Sequence, residues 1–220
     1  MRPILIAPSL LAADFTRMGE EIRRVEDGGA DWLHVDVMDG HFVPNLSMGL
    51  PVVSSFKKVA RKPLDVHIMI DNPDEFALRY VEAGADSLTF HLEAAEDPRA
   101  LIQEIKRGGA RVGMAVSPPT DVEGLRPFVD DLDLVLVMTV HPGFGGQKFM
   151  PGMMSKVETL RSWGYQGDIQ VDGGIALDTI GVAAEAGATV FVAGTAVFRG
   201  SGVSKTIREM RDAAMRRAEA

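Results

Sequence analysis

The 220-residue chain contains no cysteine. Disulfides, zinc ribbons, iron–sulfur clusters and thiol nucleophiles are thereby excluded, and any metal must be held by nitrogen and oxygen. Positive charge is in short supply. Lys and Arg number 23 against 31 Asp and Glu, a formal net charge of -8. That is the wrong sign for a surface that follows a phosphate backbone, so no nucleic-acid partner is expected. No apolar run reaches the ~18 residues of a membrane span. The apolar stretch from Ile4 to Ala13 is interrupted by Pro8 and reads as a buried strand rather than a targeting segment. A cytoplasmic protein with no membrane partner is the expectation. Linkers, low-complexity tracts and charge blocks are missing too, which predicts one domain over residues 1–220. A chain of this length buries roughly 70% of its unfolded surface and stands on packing alone.

What is present is a repeated phrase. Gly29-Ala30-Asp31 leads into Trp32 to Asp36, and Gly84-Ala85-Asp86 into Ser87 to His91. Gly109-Ala110-Arg111 and Gly187-Ala188-Thr189 open Val112 to Val116 and Val190 to Ala193 in the same way. Each reads as a glycine helix stop followed by a short apolar strand. The glycines lie 55, 25 and 78 residues apart, about two, one and three copies of a unit near 26 residues, which suits a strand plus a helix. Strands are predicted near 3–9, 32–38, 64–69, 87–92, 111–116, 134–140, 168–172 and 190–194. Helices are predicted at Phe15 to Glu26, Asp74 to Ala83, Pro98 to Arg107 and Thr179 to Ala186. The fifth connection, around Asp121 to Phe128, carries the weakest helical pattern. About eight such units predict an α/β fold, a single-domain (β/α)8 TIM barrel, with an open doubly wound sheet as the alternative.

Strand parity carries the functional signal. Side chains alternate across a strand, so one parity faces the helices and the other the barrel interior. Leu33, Val35 and Val37 face helices, which leaves Trp32, His34, Asp36 and Met38 inside. Leu64, Val66 and Ile68 leave Asp65, His67 and Met69. Leu88, Phe90 and Leu92 leave Ser87, Thr89 and His91, and Ile169 and Val171 leave Asp168, Gln170 and Asp172. A buried ionised carboxylate costs several kcal/mol unless paired or bound to a cation. A single inward His or Asp is ordinarily a satisfied polar group; convergence at the strand C-termini is what points to a metal. His34, Asp36, His67 and Asp172 form two imidazoles and two carboxylates, a set suited to one divalent ion, Zn²⁺, Fe²⁺, Mn²⁺ or Co²⁺. His41 and His91 are read as loop residues or partners of ligands. Met38, Met69 and Met138 fill the core near the rim, and in that position line a pocket that keeps water from a reactive intermediate.

Three glycine-rich turns end the last strands: Pro142-Gly143-Phe144-Gly145-Gly146-Gln147, Asp172-Gly173-Gly174 and Gly194-Thr195. Together they predict a phosphate cradle of backbone N–H groups. With these segments on the page, the chain resembles the ribulose-phosphate 3-epimerase family. The resemblance runs through Ala7-Pro8-Ser9-Leu10-Leu11-Ala12-Ala13-Asp14-Phe15, through His34-Val35-Asp36-Val37-Met38-Asp39-Gly40-His41-Phe42-Val43-Pro44-Asn45 and through Asp65-Val66-His67-Ile68-Met69. It continues in His141-Pro142-Gly143-Phe144-Gly145-Gly146-Gln147 and Val171-Asp172-Gly173-Gly174-Ile175.

The resemblance implies a (β/α)8 barrel of the pentose phosphate pathway, a homo-oligomer acting on a small phosphosugar. Its divalent metal would be held by His34, Asp36, His67 and Asp172, and Asp36 and Asp172 would double as the acid/base pair. Ser9, with His67 and the three methionines, would contact substrate. Gly143, Phe144, Gly145, Gly146, Gly173, Gly174, Gly194 and Thr195 would hold its phosphate. Two departures from the family pattern are visible. Gly194-Thr195-Ala196 stands for a usual Gly-Ser-Ala, which keeps a hydroxyl, and Ser117-Pro118-Pro119-Thr120 replaces a usual Asn-Pro-Gly-Thr, to which the sequence assigns no role.

Inversion at C3 of a 2-ketose phosphate needs a proton removed from one face and another delivered to the opposite face, hence two acid/base groups. Interconversion of D-ribulose 5-phosphate and D-xylulose 5-phosphate is the expected reaction. Alternatives are an allulose-6-phosphate 3-epimerase and a non-catalytic phosphosugar-binding barrel. A phosphosugar or nucleotide decarboxylase is disfavoured, because Asp36-Val37-Met38-Asp39 lacks the lysine of the Asp-x-Lys-x-x-Asp motif.

Overall fold

The computed structural model describes residues 3–200 and 202–218; residues 1, 2, 201, 219 and 220 of the expected domain lie outside the described residues. Eight parallel strands form one sheet: β1 (Leu5–Pro8), β2 (Leu33–Met38), β3 (Leu64–Met69), β4 (Ser87–His91), β5 (Arg111–Val116), β6 (Leu134–Met138), β7 (Asp168–Asp172) and β8 (Val190–Ala193). The strand order, β1-β8-β7-β6-β5-β4-β3-β2, returns to its start at a seam between β1 and β2. There a parallel bridge joins Ser9 to His34, and the Asp31 N–H donates to Ile6 O at 2.9 Å. The predicted single-domain (β/α)8 barrel is the observed architecture.

The helices follow the phrase structure. α1 (Met18–Asp27), α3 (Pro73–Glu82) and α4 (Pro98–Arg107) run up to the glycine stops, and α2 (Leu50–Val59) lies between β2 and β3. α5 (Met154–Ser162) and α6 (Ile180–Glu185) flank β7, while α7 (Thr195–Phe198) and α8 (Val203–Ala218) both follow β8. α1 begins three residues later than predicted, since Asp14 caps a 3₁₀ turn at Phe15–Arg17 by accepting from Thr16 N–H at 3.0 Å. The fifth connection has no α-helix: Val122–Leu125 and Val129–Asp131 are single 3₁₀ turns. Pro118, Pro119 and Pro127 remove backbone donors on either side of that stretch, which leaves too short a run to propagate a helix.

Parity is obeyed. Leu33, Val35, Val37, Leu64, Val66, Ile68, Leu88 and Phe90 pack with the helices in the outer core. Each such side chain removed from water contributes about 1.5–3 kcal/mol, which pins the register of every strand. A second apolar cluster fills the barrel itself: Ala7, Trp32, Ala115, Leu134, Leu136, Met138, Val190 and Val192. The inward polar residues separate into two ends. Asp168, at the N-terminal end of β7, pairs with Arg111 at 2.6 Å, and Arg111 lies over the Trp32 ring and beside Ser87; His34, Asp36, His67 and Asp172 meet towards the C-terminal rim. Among the described residues no helix is long and apolar enough to cross a membrane.

Candidate active site

Register, more than any one strand, assembles the site. β2 and β3 pair so that Asp36 stands beside His67 and His34 beside Asp65, while Met38 meets Met69. β6 and β7 pair Met138 with Asp172. One ligand atom each from His34, Asp36, His67 and Asp172 lies within 4.8 Å of all the others. His34 and His67 are fully buried and Asp36 nearly so. The acids therefore meet across the barrel mouth despite the separation of positions 36 and 172.

Each donor is held from behind. Asp65 Oδ2 accepts from His34 Nδ1–H at 2.7 Å and from Gln170 Nε2 at 2.5 Å, which turns His34 Nε2 towards Asp36 Oδ1, 3.2 Å away. Ser9 Oγ donates to Asp36 Oδ2 at 2.6 Å. His67 Nδ1 is buried without a hydrogen-bond partner, 3.4 Å from Asp36 Oδ1 and 3.9 Å from Asp172 Oδ2. An orphaned imidazole nitrogen facing two carboxylates is costly in an apolar interior unless a cation completes it. The donor set fits one divalent ion with nitrogen and oxygen ligands.

The two aspartates differ sharply in proton affinity. Burial works against the charge on Asp36, but His34 and then His67 outweigh it and hold this carboxyl well below the usual range. Burial raises Asp172, and the Asp36 charge raises it further, to about 7. Burial also opposes a charge on His34, yet Asp36 and then Asp65 overcome it and raise its proton affinity well above that of a free imidazole; burial lowers His67 to about 4. A proton on His34 Nε2 and a metal ion would occupy the same seat.

Above this cluster opens a cavity of about 1090 Å³. Ser9, Asp36, Met38, Met69, Met138 and Asp172 line it. So do the glycine turns: Gly143, Phe144, Gly145 and Gly146 after β6, Gly173 and Gly174 after β7, and Gly194 with Thr195 after β8. The expected phosphate residues thus line the same cavity as the cluster. Gly173 and Gly174 have φ of +122° and +66°, and a Cβ on Gly174 would sit 2.4 Å from Phe149 N. Only glycine fits that turn. His67, expected as a substrate contact, is not on the cavity wall; its ring is fully buried. His41 is an exposed loop residue whose N–H donates to Asp39 Oδ1 at 2.8 Å, and His91 lies against His67.

Several contributors escaped the sequence reading. Asp65 and Gln170 carried the right inward parity, but only register shows that they orient His34. Asn45 Nδ2 donates to Gly143 O at 2.8 Å, tying the β2 loop to the glycine loop after β6. Gln147 braces that loop from within, donating to His141 O and Phe144 O at 2.7 and 2.8 Å.

Residues 5–198 match the profile of the ribulose-phosphate 3 epimerase family. A ribulose-phosphate 3-epimerase of Candida glabrata is 48% identical over 96% of this chain and 92% of its own. A cytoplasmic isoform of ribulose-phosphate 3-epimerase from Oryza sativa subsp. japonica is 48% identical, covering 94% of this chain and 92% of its own. Among solved structures, orotidine 5′-phosphate decarboxylase from Pyrococcus horikoshii superposes with a TM-score of 0.71 over 96% of this chain and 99% of that one; at 15% identity this shows a shared fold alone. Profile, relatives and the four-residue cluster agree, and the chain belongs to the ribulose-phosphate 3-epimerase family.

Proposed function

We propose that this chain interconverts D-ribulose 5-phosphate and D-xylulose 5-phosphate by moving protons at C3 between Asp36 and Asp172. The observation that carries the reading is a pair of carboxyl groups within 4.8 Å of each other whose environments push their proton affinities apart. In the metal-free chain one is held ionised and the other titrates near neutrality, an asymmetry that suits a base paired with an acid. In one direction Asp36 is the base and Asp172 the acid on the opposite face, and the roles exchange in reverse. Ser9 donates to Asp36 Oδ2 and orients the carboxylate. Met38, Met69 and Met138 line the cavity beside them and keep water from the reacting carbon. The glycine walls receive the phosphate, which sets the depth at which C3 arrives.

His34, Asp36, His67 and Asp172 would hold the divalent ion, with Zn²⁺, Fe²⁺, Mn²⁺ and Co²⁺ all suited to the donor set. When bound, the ion supplies a Lewis acid for the negative charge that develops on the substrate oxygens next to C3. The reading extends to a cytoplasmic homo-oligomer, the former in line with the Oryza isoform; sedimentation measures the subunit count.

The test is incubation with D-ribulose 5-phosphate in D₂O. Deuterium enters C3 as xylulose 5-phosphate forms, and a chelator stops both. Asp36→Asn and Asp172→Asn each lower the rate by about 10²–10⁴-fold while the sugar phosphate still binds. A near-normal rate in Asp172→Asn ends the assignment. Running allulose 6-phosphate alongside measures how strictly the five-carbon sugar is preferred.

A further inference from the structure

His67 is gripped on the side away from Asp36. Its Nε2 lies 2.8 Å from His91 Nε2, and the two rings stack with centroids 5.0 Å apart. His91 is itself fully buried, with Nδ1 3.1 Å from Glu93 Oε2. The other carboxylate oxygen, Glu93 Oε1, accepts from Ser117 N–H at 2.6 Å and from the Thr120 hydroxyl. Lys156 on α5 fixes the loop that supplies those donors: its Nζ donates to Ser117 O and Pro118 O at 2.9 Å and to Thr120 O at 2.7 Å. One strand, one helix and the turns after β4 and β5 thus back a single imidazole through a chain of contacts.

Hydrogen-bond chemistry gives this chain a direction. Two imidazole nitrogens in contact hold one hydrogen between them, so one ring donates and the other accepts. An ionised carboxylate only accepts, which requires the hydrogen of His91 to sit on Nδ1, facing Glu93. A neutral His91 then presents a lone pair at Nε2, and His67 must donate through Nε2–H. His67 Nδ1 is left bare, and it is the atom found buried without a partner beside Asp36 and Asp172.

We propose that Glu93 and His91 are positioning residues that set the tautomer of His67, so that it offers a bare Nδ1 to a divalent cation, with the Ser117–Thr120 loop and Lys156 holding Glu93 in place. Ionisation of Glu93 is favoured: burial opposes it, but the hydrogen bonds from His91, Thr120 and Ser117 hold the carboxyl below its ordinary value. The loop that departs from the family pattern thereby acquires a role. It delivers one backbone and one hydroxyl donor to the oxygen of Glu93 that does not face His91.

This inference rests on the metal-site reading, and the experiment separates the two. Long-range ¹⁵N–¹H correlation spectra of the ¹⁵N-histidine-labelled, metal-free chain report the tautomer without any substitution. The expected pattern is protonated Nε2 and bare Nδ1 on His67, and the reverse on His91. A hydrogen on His67 Nδ1, or a doubly protonated His91, overturns the inference. In Glu93→Gln the single amide oxygen cannot serve His91 and both loop donors at once. The His67 pattern is then lost, and Zn²⁺ affinity, measured by competition with a chromophoric chelator, falls about 10–100-fold. Wild-type spectra and affinity in Glu93→Gln overturn the inference. If the unsubstituted chain binds no Zn²⁺, the metal reading falls and this inference with it; if it binds Zn²⁺ with His67 protonated at Nδ1, the inference alone falls.

Discussion

Asp172 is pushed towards its neutral form by burial and by the charge of Asp36 a few ångströms away. A cation that binds this carboxyl competes with that proton. With the carboxyl titrating at about 7 in the metal-free chain, its proton competes with metal below pH 7 and ceases to do so above it. Release of that proton is expected to contribute about tenfold per pH unit to Mn²⁺ affinity from pH 5 towards 7 and nothing at higher pH. Displacement of the proton on His34 Nε2 adds to the slope and continues it above pH 7. Calorimetric titrations at pH 6 and pH 8 measure the difference, and equal affinities contradict the assignment. The inward parity of His34, Asp36, His67 and Asp172 could be read from alternation alone. Glu93 offered only a weak signal two residues after an inward histidine, and Lys156 offered none, because its partners are carbonyl oxygens more than 30 residues away.

Among the strands, β5 owes its fit to what it lacks. Gly113 pairs with Thr89 of β4, and a Cβ there would meet Thr89 Oγ1 at 2.2 Å and Leu134 Cδ2 at 2.9 Å. Thr89 and Leu134 already fill the space a larger residue would claim. Gly113→Ala forces Thr89 to rotate and is expected to lower stability by about 1–3 kcal/mol, read as a shift in the urea midpoint at unchanged slope. The same substitution at Gly109, where a Cβ would meet nothing within 4 Å but the φ is +89°, costs about 1 kcal/mol through the backbone alone. If the two variants melted alike and Thr89 stayed in place, packing at β5 would be excluded as the cause. The helix pattern was legible where glycine stops and Pro-initiated first turns frame it, as in α4, whose predicted and observed limits coincide. At α1 only the start differs, by three residues, where a side-chain cap at Asp14 holds a 3₁₀ turn ahead of the helix.

For the whole molecule, one ion would tie together strands that do not touch: β2 and β3 are neighbours, while β7 lies across the barrel from them. Free metal at about 100 times its Kd adds about 2.7 kcal/mol to the folded state. In a chain of 220 residues that raises the melting temperature by roughly 5–10 °C. Scanning calorimetry with Mn²⁺ and after chelation measures the shift, and coincident curves would show that the cluster holds no ion with useful affinity. The seam between β1 and β2 is closed sparsely, by the Ser9–His34 bridge, the Asp31 contacts with Ile6 and the Ser9 hydroxyl on Asp36.

By itself the sequence determined the period of the repeat, the face each strand side chain would take and the glycines that end the last strands. These follow from local rules: alternation at period two, helix stops and backbone reach are properties of short segments. Only the tertiary structure decided which inward polar groups stand at the same height. That depends on how eight strands stagger around a closed ring, a quantity set by packing between segments far apart in the chain. Parity placed Asp168 and Asp172 on the same inner surface; the barrel gave one to Arg111 at the far end and the other to the cluster at the mouth.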